Sequence, residues 1–194
     1  PAGRHGARNN DRAKVLVKWL ADTYTVERLR RWGVVDVAGG RGEVSARLAH
    51  CHGIRCVLVD PRASKEIVEE TLLKRVAPHL PLKWRTRLLE TNGTDRFRKL
   101  VTVLQRDFAD DLDHGGLFVG MHADGATEAI VDEALRRGSP FCVVPCCVFG
   151  KRQFKFMPQT GQKPMTYEAF LDHLQGKDSS IQRATLPFRG RNVV

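Results

Sequence analysis

The chain has 194 residues, enough for one domain with a buried core, and its 42% hydrophobic content excludes a disordered chain. No apolar run approaches the roughly 20 residues that a membrane-spanning helix needs, so no such span is expected. Lys and Arg number 32 against 22 Asp and Glu, a formal charge of +10, which favours partners that carry phosphate, RNA or a ribonucleoprotein most simply.

Residues 1–8 bear Arg4 and Arg8 without an acidic residue and are expected to form a flexible end, before one domain over 9–194. Residues 9–31 carry Val15, Leu16, Trp19, Leu20 and Tyr24 at three- and four-residue spacing. That pattern predicts one amphipathic helix with Trp19 in the core. Val34 to Val37 is a continuous β-branched run, the mark of a strand buried on both faces. The small residues Ala38, Gly39, Gly40 and Gly42 follow it, and a helix is expected over 43–50. A second strand, Cys56 to Val59, ends on Asp60 and is stopped by Pro61. A helix over 64–76 is expected with Ser64 as its cap.

The stretch 83–89 reads as a third strand, and 97–108 as a helix with Leu100, Val103 and Leu104 on one side. Basic residues here surround Trp84 and Phe97, a mixture that suits a nucleic-acid backbone with an aromatic stacked on a base. The other reading is a solvated basic face over a core Trp. A fourth strand is expected over 117–122, a helix over 127–137 closed by Gly138, and a fifth strand over 141–144. A helix capped by Thr166 and two short strands over 184–186 and 192–194 complete the series. Strands alternating with helices argue an α/β, doubly wound, mainly parallel sheet.

A strand, a glycine-rich turn, a helix and a second strand closed by a carboxylate can hold a ribose by its two hydroxyls. Dinucleotide binders and methyltransferases share that unit. The spacing here is not G-x-G-x-x-G, and Asp36 stands two positions before the turn. No second half-fold with its own phosphate turn follows.

At Asp36-Val37-Ala38-Gly39-Gly40-Arg41-Gly42 and Val59-Asp60 the chain resembles class I S-adenosylmethionine-dependent methyltransferases, across most of 9–194. Asp36-Val37-Ala38-Gly39-Gly40, Asp60-Pro61-Arg62, the run from Gly120 to Glu128 and Val144-Pro145-Cys146-Cys147, helped by the run from Leu186 to Asn192, resemble, more narrowly, a little-characterised eukaryotic methyltransferase-like family. The resemblance implies a Rossmann-like fold and S-adenosyl-L-methionine as cofactor. It implies Asp36, Ala38, Gly39, Gly40, Gly42 and Met121 around the methionine end of the pocket, with Asp60 on the ribose. Ala38 stands where many such proteins have the first glycine, and an alanine fits there if its φ is negative.

The acceptor would then lie over the ends of strands four and five, beside His122, Asp124, Thr127, Glu128, Pro145, Cys146 and Cys147. His122 or Asp124 is a candidate general base, and Cys146 a further catalytic candidate. The competing reading makes Asp124 or Thr127 the cap of the helix that begins there. RNA 5-methylcytosine enzymes attack the base with a cysteine after strand five, but their matching Pro-Cys after strand four is replaced here by Met121-His122-Ala123-Asp124. Adjacent cysteines chelate one ion poorly, so no metal site is expected. The odd cysteine count and apolar setting suit thiols in a reducing intracellular compartment, mitochondrial or cytoplasmic. The rival function is an RNA-binding or structural subunit, or an assembly factor, of a ribonucleoprotein such as a ribosome, with little catalysis. A partner subunit is compatible with either, and a nicotinamide-dependent reductase is the remaining alternative.

Overall fold

The structure is a computed structural model that describes residues 11–90, 93–105, 116–146, 166–188 and 190–194. Its centre is β1 (Val34–Val37), whose four residues are all buried. On one side lie β2 (Cys56–Val59) and then β3 (Val101–Leu104); on the other lie β4 (Leu117–Met121) and then β5 (Phe141–Val144). All four pairings are parallel, giving the order β3-β2-β1-β4-β5. Val34 is in register with Cys56 on one side and Leu117 on the other. The chain therefore has the α/β, doubly wound architecture read from its sequence. Its strand order reverses at β1, so a crevice opens above the carboxyl ends of β1 and β4.

Helices cover both faces. On one face α1 (Arg12–Tyr24), α2 (Val26–Trp32), α3 (Glu43–His52) and α4 (Lys65–Thr71) bring Leu16, Leu20, Leu29, Leu48 and Val68 onto Val34, Leu58, Leu117 and Val119. On the other, α7 (Thr127–Arg137) and α8 (Tyr167–Gln175) pack Ile130, Ala134, Phe170 and Leu174 against Val35, Val37, Phe118 and Val143. The alternation of each strand divides its side chains between the two cores.

Three local expectations are corrected. The single helix over 9–31 is two helices, divided at Thr25 (φ 61°), whose hydroxyl accepts a hydrogen bond from the Arg28 amide and caps α2. Trp19 packs only partly buried against the core, edge-on to Tyr24 at 6.2 Å. The stretch 83–89 is not a strand but part of α5 (Leu82–Glu90), where Leu88 is the described side chain that reaches the core. Its Leu, Lys and Arg residues are good helix formers and only Thr86 is β-branched. The helix placed over 97–108 ends at Leu100: α6 (Gly93–Leu100) leads directly into β3, where Val101, Thr102 and Val103 pair with Cys56, Val57 and Leu58. The remainder of that expected helix, 106–108, lies outside the described residues.

The expected caps of α4 and α8 are present: Ser64 Oγ accepts from the Ile67 amide and Thr166 Oγ1 from the Ala169 amide. Helix α4 runs on through a π turn, Leu72–Val76. The strands over 184–186 and 192–194 form a small antiparallel pair outside the sheet, joined through Thr185 and Val193. Tyr24 Oη donates to the carbonyl of Phe141 on edge strand β5, and burial pushes the phenol's pKa up to about 12.

Candidate cofactor and acceptor site at the carboxyl end of the sheet

The turn after β1 is held down by Asp36. This side chain is fully buried, and its Oδ2 accepts from the Ser45 amide at 3.2 Å and the Ser45 hydroxyl at 2.7 Å. Its Oδ1 has no hydrogen-bond partner. Burial pushes the carboxyl up to about 6, against the pull of the two Ser45 bonds. At Gly39 a Cβ would lie 2.6 Å from Asp36 Oδ1 and from Leu58 Cδ1, so only glycine lets the turn close onto the strand. Gly40 (φ 57°) differs: a Cβ there would meet nothing within 4 Å. The turn is thus packed tightly below and open above.

Ala38 has φ 52°, which overturns the expectation of a negative φ. Its amide donates to the Val59 carbonyl at 2.7 Å, one step beyond the last register pair of β1 and β2, and that bond ties the residue to the neighbouring strand.

Asp60, at the end of β2, turns back to the same place. Its Oδ2 accepts from the Gly40 amide at 2.9 Å, and its Oδ1 accepts from the Arg62 amide at 2.8 Å. The Arg62 guanidinium reaches both carboxylate oxygens at 3.3 Å. Burial alone would raise this carboxyl, but the Arg62 and Gly40 bonds outweigh it and hold its pKa below the usual range. Asp60 is 1% exposed beneath an Arg62 side chain that is 80% exposed.

The second half of the site lies after β4 and β5. The His122 amide donates to the Val144 carbonyl at 2.9 Å, and the backbone then turns through two left-handed residues, His122 (φ 56°) and Asp124 (φ 48°). The His122 ring lies 6.4 Å from that of Phe188, edge-on, and the Arg12 guanidinium lies over the same Phe188 ring, 5.7 Å from its centroid. Both imidazole nitrogens are buried without a hydrogen-bond partner. Burial first and the Arg12 charge second lower the imidazole's pKa, against the pull of Asp124. His122 is therefore neutral at pH 7.

Cys146 Sγ donates to Asp124 Oδ1 at 2.8 Å, joining the ends of β4 and β5. Beside it, Tyr167 Oη donates to the Pro145 carbonyl at 3.2 Å, and the Arg191 guanidinium stacks on the Tyr167 ring at 3.9 Å.

The sequence-based candidates thus fall into two neighbouring groups. Asp36, Ala38, Gly39, Gly40, Gly42 and Asp60 meet at the turn; His122, Asp124 and Cys146 meet after β4 and β5. Met121 is half-buried against the core beneath the second group. Neither Asp124 nor Thr127 caps α7 with its side chain: Asp124 heads a short 3-10 turn and the cap position belongs to Ala126. Glu128 faces away from the site, bound to His173 at 2.6 Å and Lys177 at 2.9 Å on the α8 side. Cys147 lies outside the described residues. Phe97 is buried to 3% exposure and cannot stack on a base; the Trp84 side chain lies outside the described ones. No cluster of metal-ligating side chains occurs among the described residues.

The motifs quoted from the sequence contain Arg62, Phe188 and Arg191 but assign them no role, and Ser45, Arg12 and Tyr167 were not singled out. Ser45 had a local signal, standing three residues after Gly42 in the same strand-turn-helix unit. Arg12, Phe188, Tyr167 and Arg191 come from distant segments, and only the fold brings them near. A cavity of about 810 Å³ lies elsewhere, along the outer edge of β5 between Trp19, Tyr24, Phe141, Leu171 and Val193. It includes no residue of the β1 turn.

No protein-family model matches the sequence, and no curated protein matches it. Among the solved structures that match the chain are the following two. One is an RNA methyltransferase from Salinibacter ruber in complex with S-adenosyl-L-homocysteine, 17% identical over 66% of this chain and 69% of that one, with a TM-score of 0.39. The other is MccB from E. coli, 16% identical over 81% of this chain, with a TM-score of 0.40; this chain spans about half, 49%, of its length.

Proposed function

We propose that the chain is an S-adenosylmethionine-dependent methyltransferase, with the cofactor at the turn after β1 and the acceptor over the ends of β4 and β5. The observation that carries the reading is the convergence of Asp60 on the Gly40 amide beneath open space, next to the strained His122–Asp124 turn. The residues fit such a cofactor: a buried carboxylate stands at the end of β2 for a ribose, glycine at position 40 leaves the approach clear, and an unpartnered Asp36 oxygen lies below the turn. S-adenosylmethionine, when bound, supplies an electrophilic methyl group on sulfur.

The chain's own residues supply placement and a proton acceptor. Asp124 already takes a hydrogen bond from the Cys146 thiol, and the same carboxylate is placed to take the proton of an acceptor hydroxyl or ring N–H. Cys146 acts here as the donor that orients Asp124 rather than as a nucleophile. The His122 ring, with both nitrogens buried, packs edge-on to Phe188 at the same turn. RNA as the acceptor's class is supported by the formal charge of +10.

A second reading, an RNA-binding subunit with little catalysis, is favoured by one observation: Arg62 lies across the carboxylate that a ribose would use. Calorimetric titration of S-adenosylmethionine into the purified protein separates the two. Binding at roughly micromolar Kd, equivalent to about 8 kcal/mol, that is lost in Asp60→Ala supports the enzyme. A folded protein that binds nothing at about 1 mM overturns it.

A further inference from the structure

Asp60 offers two oxygens, about four acceptor positions in all. In this structure four donors use them: the amides of Gly40 and Arg62, and Nε and Nη2 of Arg62. The two amides are fixed by the backbone of the turns. The guanidinium is not; it projects into solvent and its described hydrogen bonds run to Asp60 alone. A ribose diol can reach the carboxylate only at the two positions that Arg62 holds.

We propose that Arg62 is a latch on the nucleoside position: it covers Asp60 while that position is empty, and swings out into solvent when a ribose takes Asp60. The inference rests on the cofactor reading above. It makes the nucleoside compete with a side chain of the protein for the same two carboxylate positions.

The test is a pair of Arg62 variants read by calorimetry with S-adenosyl-L-homocysteine, which has no net charge, so a general change in protein charge does not account for the result. An exposed ion pair is worth little, so Arg62→Ala is expected to tighten binding about two- to fivefold. Arg62→Lys, which keeps the charge but loses the planar fork, falls between the two.

Binding that is equal or weaker in Arg62→Ala, in a protein that does bind the nucleoside, overturns the latch and leaves the cofactor reading standing. Absence of binding in every folded variant overturns the cofactor reading itself.

Discussion

Replacing Asp36 by asparagine isolates the cost of keeping an acid at the base of the turn. The carboxyl is fully buried, and its pKa stands at about 6 in the folded chain against 3.8 for an ordinary Asp. At about 1.4 kcal/mol per tenfold change in proton affinity, ionising it in the folded state costs about 3 kcal/mol more than in the unfolded chain. Because the folded pKa is raised, the folded state keeps a proton that the unfolded state releases between pH 3.8 and about 6. Stability attributable to this group is therefore greatest below that window and is lost as pH rises through it. Asparagine does not titrate. Its carbonyl can still accept both Ser45 bonds, and its amide takes the place of the partnerless Oδ1, a contribution that does not vary with pH. Urea unfolding of both proteins at steps from about pH 3.5 to about 7.5 gives the difference in stability directly. The Asp36→Asn protein should gain about 3 kcal/mol on the wild type across that range, most of it between about pH 4 and about 6. A difference that stays flat to within about 1 kcal/mol would refute the argument that Asp36 is buried at an electrostatic cost.

The turn supplies a paired test. Ala38→Gly relieves a left-handed alanine at φ 52° and should stabilise by about 0.5–1 kcal/mol after the extra entropy of an unfolded glycine, a rise of about 1–4 °C in Tm. Gly39→Ala should do the opposite, because its Cβ would sit 2.6 Å from Asp36 Oδ1 and Leu58 Cδ1; a loss of about 1–3 kcal/mol is expected, and an unchanged Tm would contradict the packing described. On α7, Glu133 is buried to 3% exposure and held at a pKa of about 2 mainly by Arg136, with Arg137 helping. Arg136 is 61% exposed, so solvent screens the pair and Glu133→Gln should cost only about 1 kcal/mol at pH 7. That cost should vanish as pH falls from 4.5 towards about 2, since a depressed acid stabilises only while it is ionised; chemical denaturation at the two ends of that range checks it.

The sequence was most informative where a local pattern decides structure by itself. Val34 to Val37 could be read as a central strand because burial on both faces leaves no polar alternation. Ser64, Thr166 and Gly138 could be read as helix ends because capping is settled within three or four residues. Residues 83–104 misled because apolar residues there are sparse and the helix α6 passes into β3 with no break. Only pairing with β2 decides that Val101 to Leu104 is extended. In the site, Asp36, Gly40 and Asp60 were legible as a motif, but nothing local shows that Arg62 lies over Asp60. Nor does the chain order reveal that Arg12, 110 positions before His122, shares Phe188 with it. Contacts between remote segments exist only once the sheet has fixed where each strand ends.

Strain gives an independent view of where the function sits. Four non-glycine residues among those described have positive φ: Thr25, Ala38, His122 and Asp124. Thr25 is accounted for by the helix junction that its hydroxyl caps. The other three lie at the carboxyl ends of β1 and β4, the two strands that flank the topological switch point. Each costs about 1–2 kcal/mol, a sizeable part of the roughly 5–15 kcal/mol that holds a domain together. A turn needing only the backbone conformation is made without that cost by glycine, as at Gly40 and Gly42. His122 and Asp124 keep left-handed positions with side chains that glycine would lack, an imidazole with both nitrogens buried and a carboxylate that accepts a hydrogen bond from the Cys146 thiol. Ala38 supplies no such group. Its strain has no chemical return at the turn, so relieving it should stabilise the fold without weakening the nucleoside site. The same relief at Asp124 would also remove the hydrogen-bond partner of the Cys146 thiol.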